Sequence, residues 1–268
     1  MPNAPAMRER LAAQSIIEVL LLEQSLVPPR SALARFFGRS PLGSAGLMWY
    51  RGAKAEIAVA SLLAQLPEEW TVFHAIPAGS EGTDIDHVVV GPGGVFTIHT
   101  KLHRGKNVRV AGRTVVIEGE RMPYIGRAEG EAVRVTTLLR ERMLLRASVR
   151  PVVAIVGARR VTIYQKPAQV KVIDADDLTP WLVTRPPMLD RVDRGTAADI
   201  IDRPETWDAM PSTHPQELIE RFSELDKSVR DARIQRLFWV PLGSAVLIAA
   251  AAGLPYVVTA LSALNVAH

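Results

Sequence analysis

The sequence predicts an α/β fold: a mixed central sheet flanked by helices, with a helical N-terminal extension, a helical stalk and one C-terminal transmembrane helix. Three observations lead to this fold class. Residues 52–66 place their apolar side chains on one side of a helix, and residues 127–146 form a second helical stretch. Short strand-like runs separated by turn residues lie between and after these helices. Residues 237–264 contain no charged side chain.

The predicted strands are short and rich in Val, Ile and Thr, as strands commonly are. They are Trp70–Ile76, Ile85–Val90, Val95–Thr100, Asn107–Val110, Thr114–Glu118, Val152–Val156, Val161–Gln165 and Lys171–Ile173. The four-residue sequence Gly91-Pro92-Gly93-Gly94 joins the second and third strands. Glycine and proline in this number mark a turn, so these two strands are expected to form a hairpin.

Composition limits the kinds of site that this chain can carry. Its 268 residues include no cysteine, which excludes a disulfide framework and a thiolate metal site. The formal net charge is +4 at pH 7. A mildly basic chain fits an anionic partner such as nucleic acid, and it fits equally an arginine-rich segment beside a phospholipid surface. Net charge alone therefore does not identify the partner.

The uncharged segment Leu237–Leu264 is longer than the roughly 20 residues that cross the hydrocarbon core of a bilayer. Trp239 and Tyr256 are expected near its two interfaces. The basic residues that precede the segment are Lys227, Arg230, Arg233 and Arg236. The positive-inside rule then predicts a single-pass protein of the cell membrane whose N-terminal part is cytoplasmic. The alternative is a buried helix of a globular core.

Two amphipathic segments flank the predicted strands. Residues 7–27 form one, which either lies on a membrane or partner surface or packs on its own domain. Residues 213–236 form the other, with apolar residues in 4-3-4 spacing at Leu218, Phe222, Leu225 and Val229. This stalk helix either contacts a protein partner or a second copy of the chain, docks on its own domain, or braces the membrane helix.

Polar residues are concentrated in the predicted hairpin. If Val90 pairs with Val95, residues whose numbers sum to 185 lie opposite each other, and opposite residues share a face. One face then carries Asp84, Asp86, His99 and Lys101 at the open end of the hairpin. The other face carries Ile85, Val89, Phe96 and Ile98, which are expected to pack against a helix.

Carboxylates beside a lysine at a strand end suit cation-assisted phosphodiester hydrolysis. A divalent cation held by carboxylates contacts the phosphate and lowers the pKa of a water molecule. A neighbouring lysine orients that water or stabilises charge that develops on the phosphate. Glu56, on the helix that precedes the strands, supplies another carboxylate.

At these residues the sequence resembles the nuclease-related domain, NERD, a branch of the PD-(D/E)xK nuclease superfamily. The resemblance extends over residues 52–175 and rests on Gly52–Glu56, Ile85–His87, Gly94–Phe96, His99–Lys101 and His103–Gly105. It implies a restriction-endonuclease-like core and DNA cleavage with Mg²⁺ or Mn²⁺. Carried over by position, it implies that Glu56 and Asp86 are carboxylates on the metal side and that Lys101 is the catalytic lysine.

One position departs from the family pattern, because His99 stands where an acidic residue is expected two residues before the lysine. Hard cations prefer oxygen ligands, whereas imidazole suits Mn²⁺, Fe²⁺ or Zn²⁺. Three explanations remain open. The metal preference has shifted, or Asp84 supplies the missing carboxylate from across the hairpin, or the site is inactive and the fold serves as a binding module.

Basic residues follow the candidate site, and three of them, Arg104, Lys106 and Arg109, are candidates for contact with a nucleic-acid backbone. The alternative for these residues is the solvated face of a hairpin.

The expected organisation has four parts. They are a helical extension with a basic linker (1–46), a NERD-like domain (47–184), a loop with the stalk helix (185–236) and a transmembrane helix (237–264). The expected function is that of a membrane-anchored nuclease-related protein that hydrolyses or binds DNA. The competing expectation is a catalytically inactive membrane scaffold or protein-binding module that retains the nuclease fold.

Overall fold

The computed structural model describes residues 6–77, 84–145, 147–207 and 215–239. Its helices are α1 (Gln14–Ser25), α2 (Ala32–Phe36), α3 (Ser44–Leu63), α4 (Tyr124–Arg140), α5 (Leu178–Val183), α6 (Arg191–Asp202) and α7 over residues 215–239. Its strands are β1 (Thr71–Ile76), β2 (Ile85–Gly91), β3 (Gly94–Leu102), β4 (Asn107–Ala111), β5 (Thr114–Ile117), β6 (Glu120–Met122), β7 (Arg150–Val156), β8 (Arg160–Gln165) and β9 (Lys171–Asp174). The architecture is mixed α/β.

The larger sheet has five strands in the order β1-β2-β3-β7-β9. Its first three strands are antiparallel, and β7 and β9 add to β3 in parallel. One face packs on Val59 and Leu63 of α3, and the other packs on Val135 and Leu139 of α4. The strands are therefore buried on both faces, and a charged side chain between them is exceptional.

A second sheet, not expected as a separate sheet from the sequence, has the order β6-β5-β4-β8. In the larger sheet, β3 pairs in parallel with β7. The chain continues from β3 into β4 and from β7 into β8, and β4 and β8 also pair in parallel, which forms the second sheet. Alternate residues of β4 are buried, and the buried side chains of this sheet join Ile125 and Ala128 of α4 in one cluster. The sheet therefore has one buried face and one exposed face.

The hairpin of β2 and β3 has the predicted register. Val90 pairs with Val95 and Gly91 with Gly94, and the ladder extends to His87 and Ile98. A Cβ atom at Gly91 would lie 2.1 Å from Cε3 of Trp70, so the indole ring requires glycine at this position. On the predicted apolar face, Val89, Phe96 and Ile98 pack on α3, as expected. Ile85 instead joins the cluster on the α4 side, where the strand begins.

The region from residue 185 to 211, expected as a loop, contains helix α6. Asp190 caps this helix, because its side chain accepts a hydrogen bond from the backbone N–H of Asp193. Ala197, Ile200 and Ile201 lie at helical spacing and are buried against the larger sheet. The frequency of Pro and Asp obscured this short amphipathic pattern.

The two amphipathic segments pack against the domain of their own chain. Leu218 and Phe222 of α7 are buried in one cluster with Ile17 and Leu20 of α1. The Tyr50 hydroxyl donates a hydrogen bond to Asp226 of α7 at 2.6 Å, which ties α7 to α3. The structure therefore shows both segments docked on the domain of their own chain. These apolar positions are consequently covered and do not form a free dimer seam.

The predicted transmembrane helix is corrected. In the part of the chain that the structure describes, no helix is long and apolar enough to cross a membrane. Helix α7 carries charged residues on its exposed side up to Arg236, and the predicted span continues from residue 240 outside the described residues. The expectations of a single-pass membrane protein and of a membrane partner are therefore not supported.

Candidate functional site

Asp86 and His99 meet at the open end of the hairpin, as the register predicts. The paired part of the hairpin ends at His87 and Ile98. Just beyond it, the Thr100 N–H donates a hydrogen bond to Asp86 Oδ2 at 2.6 Å, so the carboxylate takes the place of a backbone carbonyl as the acceptor. His99 Nδ1 lies 4.0 Å from the same oxygen. Both side chains are buried, so this end of the sheet has a polar interior.

A carboxylate that the sequence analysis did not single out lies beside His99. Glu131 Oε1, on α4, is 2.9 Å from His99 Nδ1, without the alignment of a hydrogen bond. Among the described residues, neither ring nitrogen of His99 nor Glu131 Oε2 has a hydrogen-bond partner. Helix α4 thus brings a carboxylate beside His99, where this chain lacks the acidic residue of the family pattern.

A signal for Glu131 was present in the sequence. Ala128, Ala132 and Val135 form the buried stripe of α4, and Glu131 falls on that stripe at helical spacing. A glutamate among core positions is uncommon unless it has a partner. The distance of Glu131 from the hairpin along the chain concealed its relation to His99.

Glu56 contributes from the opposite face of the sheet. It is 5% exposed, on the buried side of α3 between Ala53 and Val59. Burial raises the pKa of the Glu56 carboxyl well above its usual range, and repulsion from Asp86 raises it further, while Lys101 lowers it. The Asp86 and Glu131 carboxylates both act on Glu56, so acidic groups from α3, β2 and α4 are within electrostatic reach of one another.

Asp86 is in a similar environment. Burial raises the pKa of its carboxyl, His99 and Lys101 lower it, and Glu131 raises it again. Carboxylates gathered in one buried place repel each other, so a cation among them is electrostatically favoured.

Lys101 is the cation that the sequence analysis placed at this site. It lies in β3 opposite Ile155 of β7, is partly exposed, and lowers the carboxyl pKa of both Glu56 and Asp86. Its Nζ is 5.8 Å from the ring centroid of Tyr124, at the start of α4. The Tyr124 hydroxyl is 2.9 Å from His103 Nε2. Tyr124, which the sequence analysis did not select, therefore restricts where the ammonium group can lie.

Asp84, expected opposite Lys101, has other partners. Its carboxylate accepts hydrogen bonds from the Ser15 hydroxyl and from Arg10 Nη2. The described part of β2 begins only at Ile85, so the ladder that would place Asp84 opposite Lys101 does not reach it. The N-terminal segment, which sequence reasoning treated separately, engages this carboxylate.

The donor atoms of this site suit a divalent cation by chemistry. Glu56, Asp86 and Glu131 offer carboxylate oxygens, which Mg²⁺ and Mn²⁺ prefer, and Glu131 Oε2 is buried without a hydrogen bond. Within the described ranges, however, no group of three His, Asp or Glu side chains is arranged to hold a metal ion. The chemical types of these side chains thus suit a divalent cation, but their positions do not form a complete set of three ligands.

The three basic residues expected to contact nucleic acid follow Lys101 closely. Arg104 and Lys106 lie in the turn after β3, and Arg109 lies on β4; all three are exposed. Lys106 Nζ pairs with Glu118 Oε2 at 2.7 Å. The second sheet therefore begins directly beside the candidate site.

Residues 51–156 match the family model described as nuclease-related domain, NERD. The match confirms the resemblance found in the sequence, and its range contains all the residues of the candidate site from Glu56 to Glu131. Residues 51–156 are the part of the chain that is similar to this family.

No curated protein matches the chain. Among solved structures, SfsA of Pyrococcus furiosus in complex with Ca²⁺ is similar at 15% sequence identity, with a TM-score of 0.23. The similarity covers 47% of this chain and 55% of that chain, so this chain spans about half the length of that protein. The assignment rests on the family match and not on this likeness.

Proposed function

We propose that the NERD domain hydrolyses phosphodiester bonds of a nucleic acid with the help of a divalent cation. The observation that carries the proposal is the cluster of ionisable side chains at the open end of the hairpin, where His99 Nδ1 lies 4.0 Å from Asp86 Oδ2 and 2.9 Å from Glu131 Oε1. Burial raises the carboxyl pKa values of Asp86 and Glu56, and Lys101 lowers both. Ionisable groups with perturbed pKa values that lie near one another are typical of functional sites.

In this proposal the cation, Mg²⁺ or Mn²⁺, is held by Glu56 and Asp86, and when bound it polarises the phosphate and makes a water molecule more acidic. The Thr100 N–H fixes one oxygen of Asp86 and leaves the other available. Lys101 donates hydrogen bonds to a phosphate oxygen as negative charge develops there. The Tyr124 ring keeps the ammonium group at the site.

His99 and Glu131 act as a pair in place of the acidic residue that the family pattern expects. Glu131 supplies negative charge from α4, and His99 lies between it and Asp86, at 2.9 Å from one carboxylate and 4.0 Å from the other. His99 thereby lowers the pKa of the Asp86 carboxyl, against the rise that Glu131 causes. Asp84, bound to Arg10, is not needed for this arrangement.

His99→Asp is expected to lower the melting temperature of the protein in EDTA and to make it rise more steeply with Mg²⁺ or Mn²⁺ than in the wild type. An aspartate there faces Glu131 and Asp86, and the repulsion is relieved by a cation that binds the folded state. Thermal unfolding measures the effect. The matched control is His99→Asn, which has the same size without the charge. Equal responses of the two variants to the cation would place position 99 away from the cation.

The function itself is tested by incubating the full chain with a labelled DNA duplex in Mg²⁺, in Mn²⁺ and in EDTA. We expect cleavage that requires a divalent cation and is lost in Asp86→Asn, because an amide is a weaker ligand and removes the charge. Circular dichroism shows whether each variant is folded. A folded wild type that leaves the duplex intact under all conditions refutes the proposal.

A second candidate is nucleic-acid binding without cleavage. It is favoured by His99 at the acidic position and by the lack of a three-ligand arrangement among the residues described. In that case the duplex binds in a salt-dependent manner and stays intact, and Asp86→Asn binds as the wild type does.

A further inference from the structure

We propose that the exposed face of the second sheet binds the sugar–phosphate backbone of duplex DNA, with Arg109, Arg159 and Arg160 as its main contacts. The inference rests on the proposed function and extends it, because it names the form of the substrate and the surface that holds it. From the sequence, Arg109 is a candidate contact, whereas Arg159 and Arg160 are not.

Strand pairing places Arg109 and Arg160 on one face of the second sheet, and Arg159 immediately precedes β8. Arg109 of β4 lies opposite Thr162 of β8 on one side and Val116 of β5 on the other, and Val116 lies opposite Arg121 of β6. Directly paired residues share a face, so this row crosses the whole sheet. Asn107 and Arg160 form a second pair on the same face. The opposite face is covered by α4 and β7, which leaves this one to solvent.

The face has positive charge that the protein does not neutralise. Within the described ranges, Arg109, Arg159 and Arg160 are exposed and none of them forms an ion pair, whereas the nearby Glu118 is paired with Lys106. Two shallow hollows, of about 400 Å³ and 430 Å³, share Asn107, Arg109 and Arg159 in their walls. Unpaired guanidinium groups around open hollows match the geometry and charge of phosphate oxygens.

The surface is continuous with the candidate site. Lys101 pairs with Ile155 in the larger sheet, and four residues after Ile155 the chain reaches Arg159. The Arg159 N–H donates to the Lys106 carbonyl, and the Gly105 N–H donates to the Gly157 carbonyl, both at 2.8 Å. These bonds fix the step from one sheet to the next. A DNA backbone that lies along the second sheet therefore extends toward Lys101.

Duplex DNA suits this face better than a single strand. Binding of single strands relies on aromatic side chains on which successive bases stack. The residues around the two hollows include one aromatic side chain, Tyr164. Exposed arginines held by a paired sheet instead suit contact with the regular phosphate backbone of a double helix.

The test measures binding of the full chain to a labelled duplex by fluorescence anisotropy, in EDTA so that nothing is cleaved. The variant Arg159→Ala with Arg160→Ala is compared with a control that removes the same charge elsewhere, Arg191→Ala with Arg203→Ala. We expect the first variant to lose affinity about tenfold or more, and its log Kd to depend on log salt with a slope smaller by about two. The control is expected to bind as the wild type does.

Equal binding by the two double variants overturns the inference. So does stronger competition by single-stranded DNA or by RNA than by unlabelled duplex. A wild type that cleaves DNA, with undiminished binding in Arg159→Ala/Arg160→Ala, leaves the proposed function intact and removes this surface from it. A wild type that binds duplex through these arginines and does not cleave it leaves the surface intact and removes the hydrolysis.

Discussion

Lys101→Ala is expected to reduce the rate of cation-dependent DNA cleavage by about 100-fold or more, which is the usual cost of losing one donor to a developing oxyanion. Affinity for DNA should change little, because the exposed arginines of the second sheet provide most phosphate contacts in this account. The effect is therefore expected in the cleavage rate at saturating protein and not in Kd. Single-turnover kinetics with a labelled duplex separate the two quantities.

The matched control for this prediction is Lys171→Ala. Lys171 is also a partly exposed sheet lysine near an aromatic ring, since its Nζ lies 5.7 Å from the centroid of Trp181. It is on β9, at the far edge of the larger sheet from the hairpin. Similar cleavage by the two variants would show that Lys101 has no special part in the chemistry.

Phe96→Ala is expected to lower the free energy of unfolding by about 3–5 kcal/mol, the usual cost of truncating a buried phenylalanine. Phe96 is fully buried in β3 and packs between Trp181, with ring centroids 5.7 Å apart, and Trp70, with centroids 6.2 Å apart. Its loss leaves a cavity between the sheet and α3, the helix that carries Glu56. Chemical denaturation monitored by tryptophan fluorescence gives the value.

A suitable comparison is Tyr164→Ala, at an aromatic residue that is 71% exposed. Removal of an exposed ring costs about 0.5 kcal/mol or less. A loss of comparable size in both variants would mean that Phe96 is not part of a packed core.

Local features of the sequence were sufficient for the hairpin. The Gly91–Gly94 turn and the alternation on either side of it fix one register, and this register places Asp86 beside His99. The sequence also places Glu56 on the helix before the strands, although not its burial on that helix. These inferences need only neighbouring residues and the geometry of strands and helices.

Features that depend on distant pairing were not predicted. The contact between Glu131 and His99 requires knowledge of which face of the sheet α4 covers. The contact of Asp84 with Arg10 joins residues that lie 74 positions apart. The parallel pairing of β4 with β8 requires both strands to be recognised as continuations of β3 and β7. No local pattern contains this information.

Hydropathy alone led to the membrane prediction, and the structure does not support it. The apolar residues Leu218 and Phe222 of α7, which a membrane-proximal stalk would present to a partner, are used against α1. Within the described residues, no helix meets the length and apolarity of a membrane span. An amphipathic pattern shows that a face will be covered and does not show by what.

The most direct test of the central claim is cleavage of a DNA duplex by the full chain in Mg²⁺ or Mn²⁺, with Asp86→Asn and Lys101→Ala measured beside it. The account predicts cleavage by the wild type that disappears with EDTA and in Asp86→Asn and falls about 100-fold or more in Lys101→Ala, while all three proteins still bind the duplex. Intact duplex after incubation with folded wild type, or equal cleavage by the wild type and both variants, would contradict it.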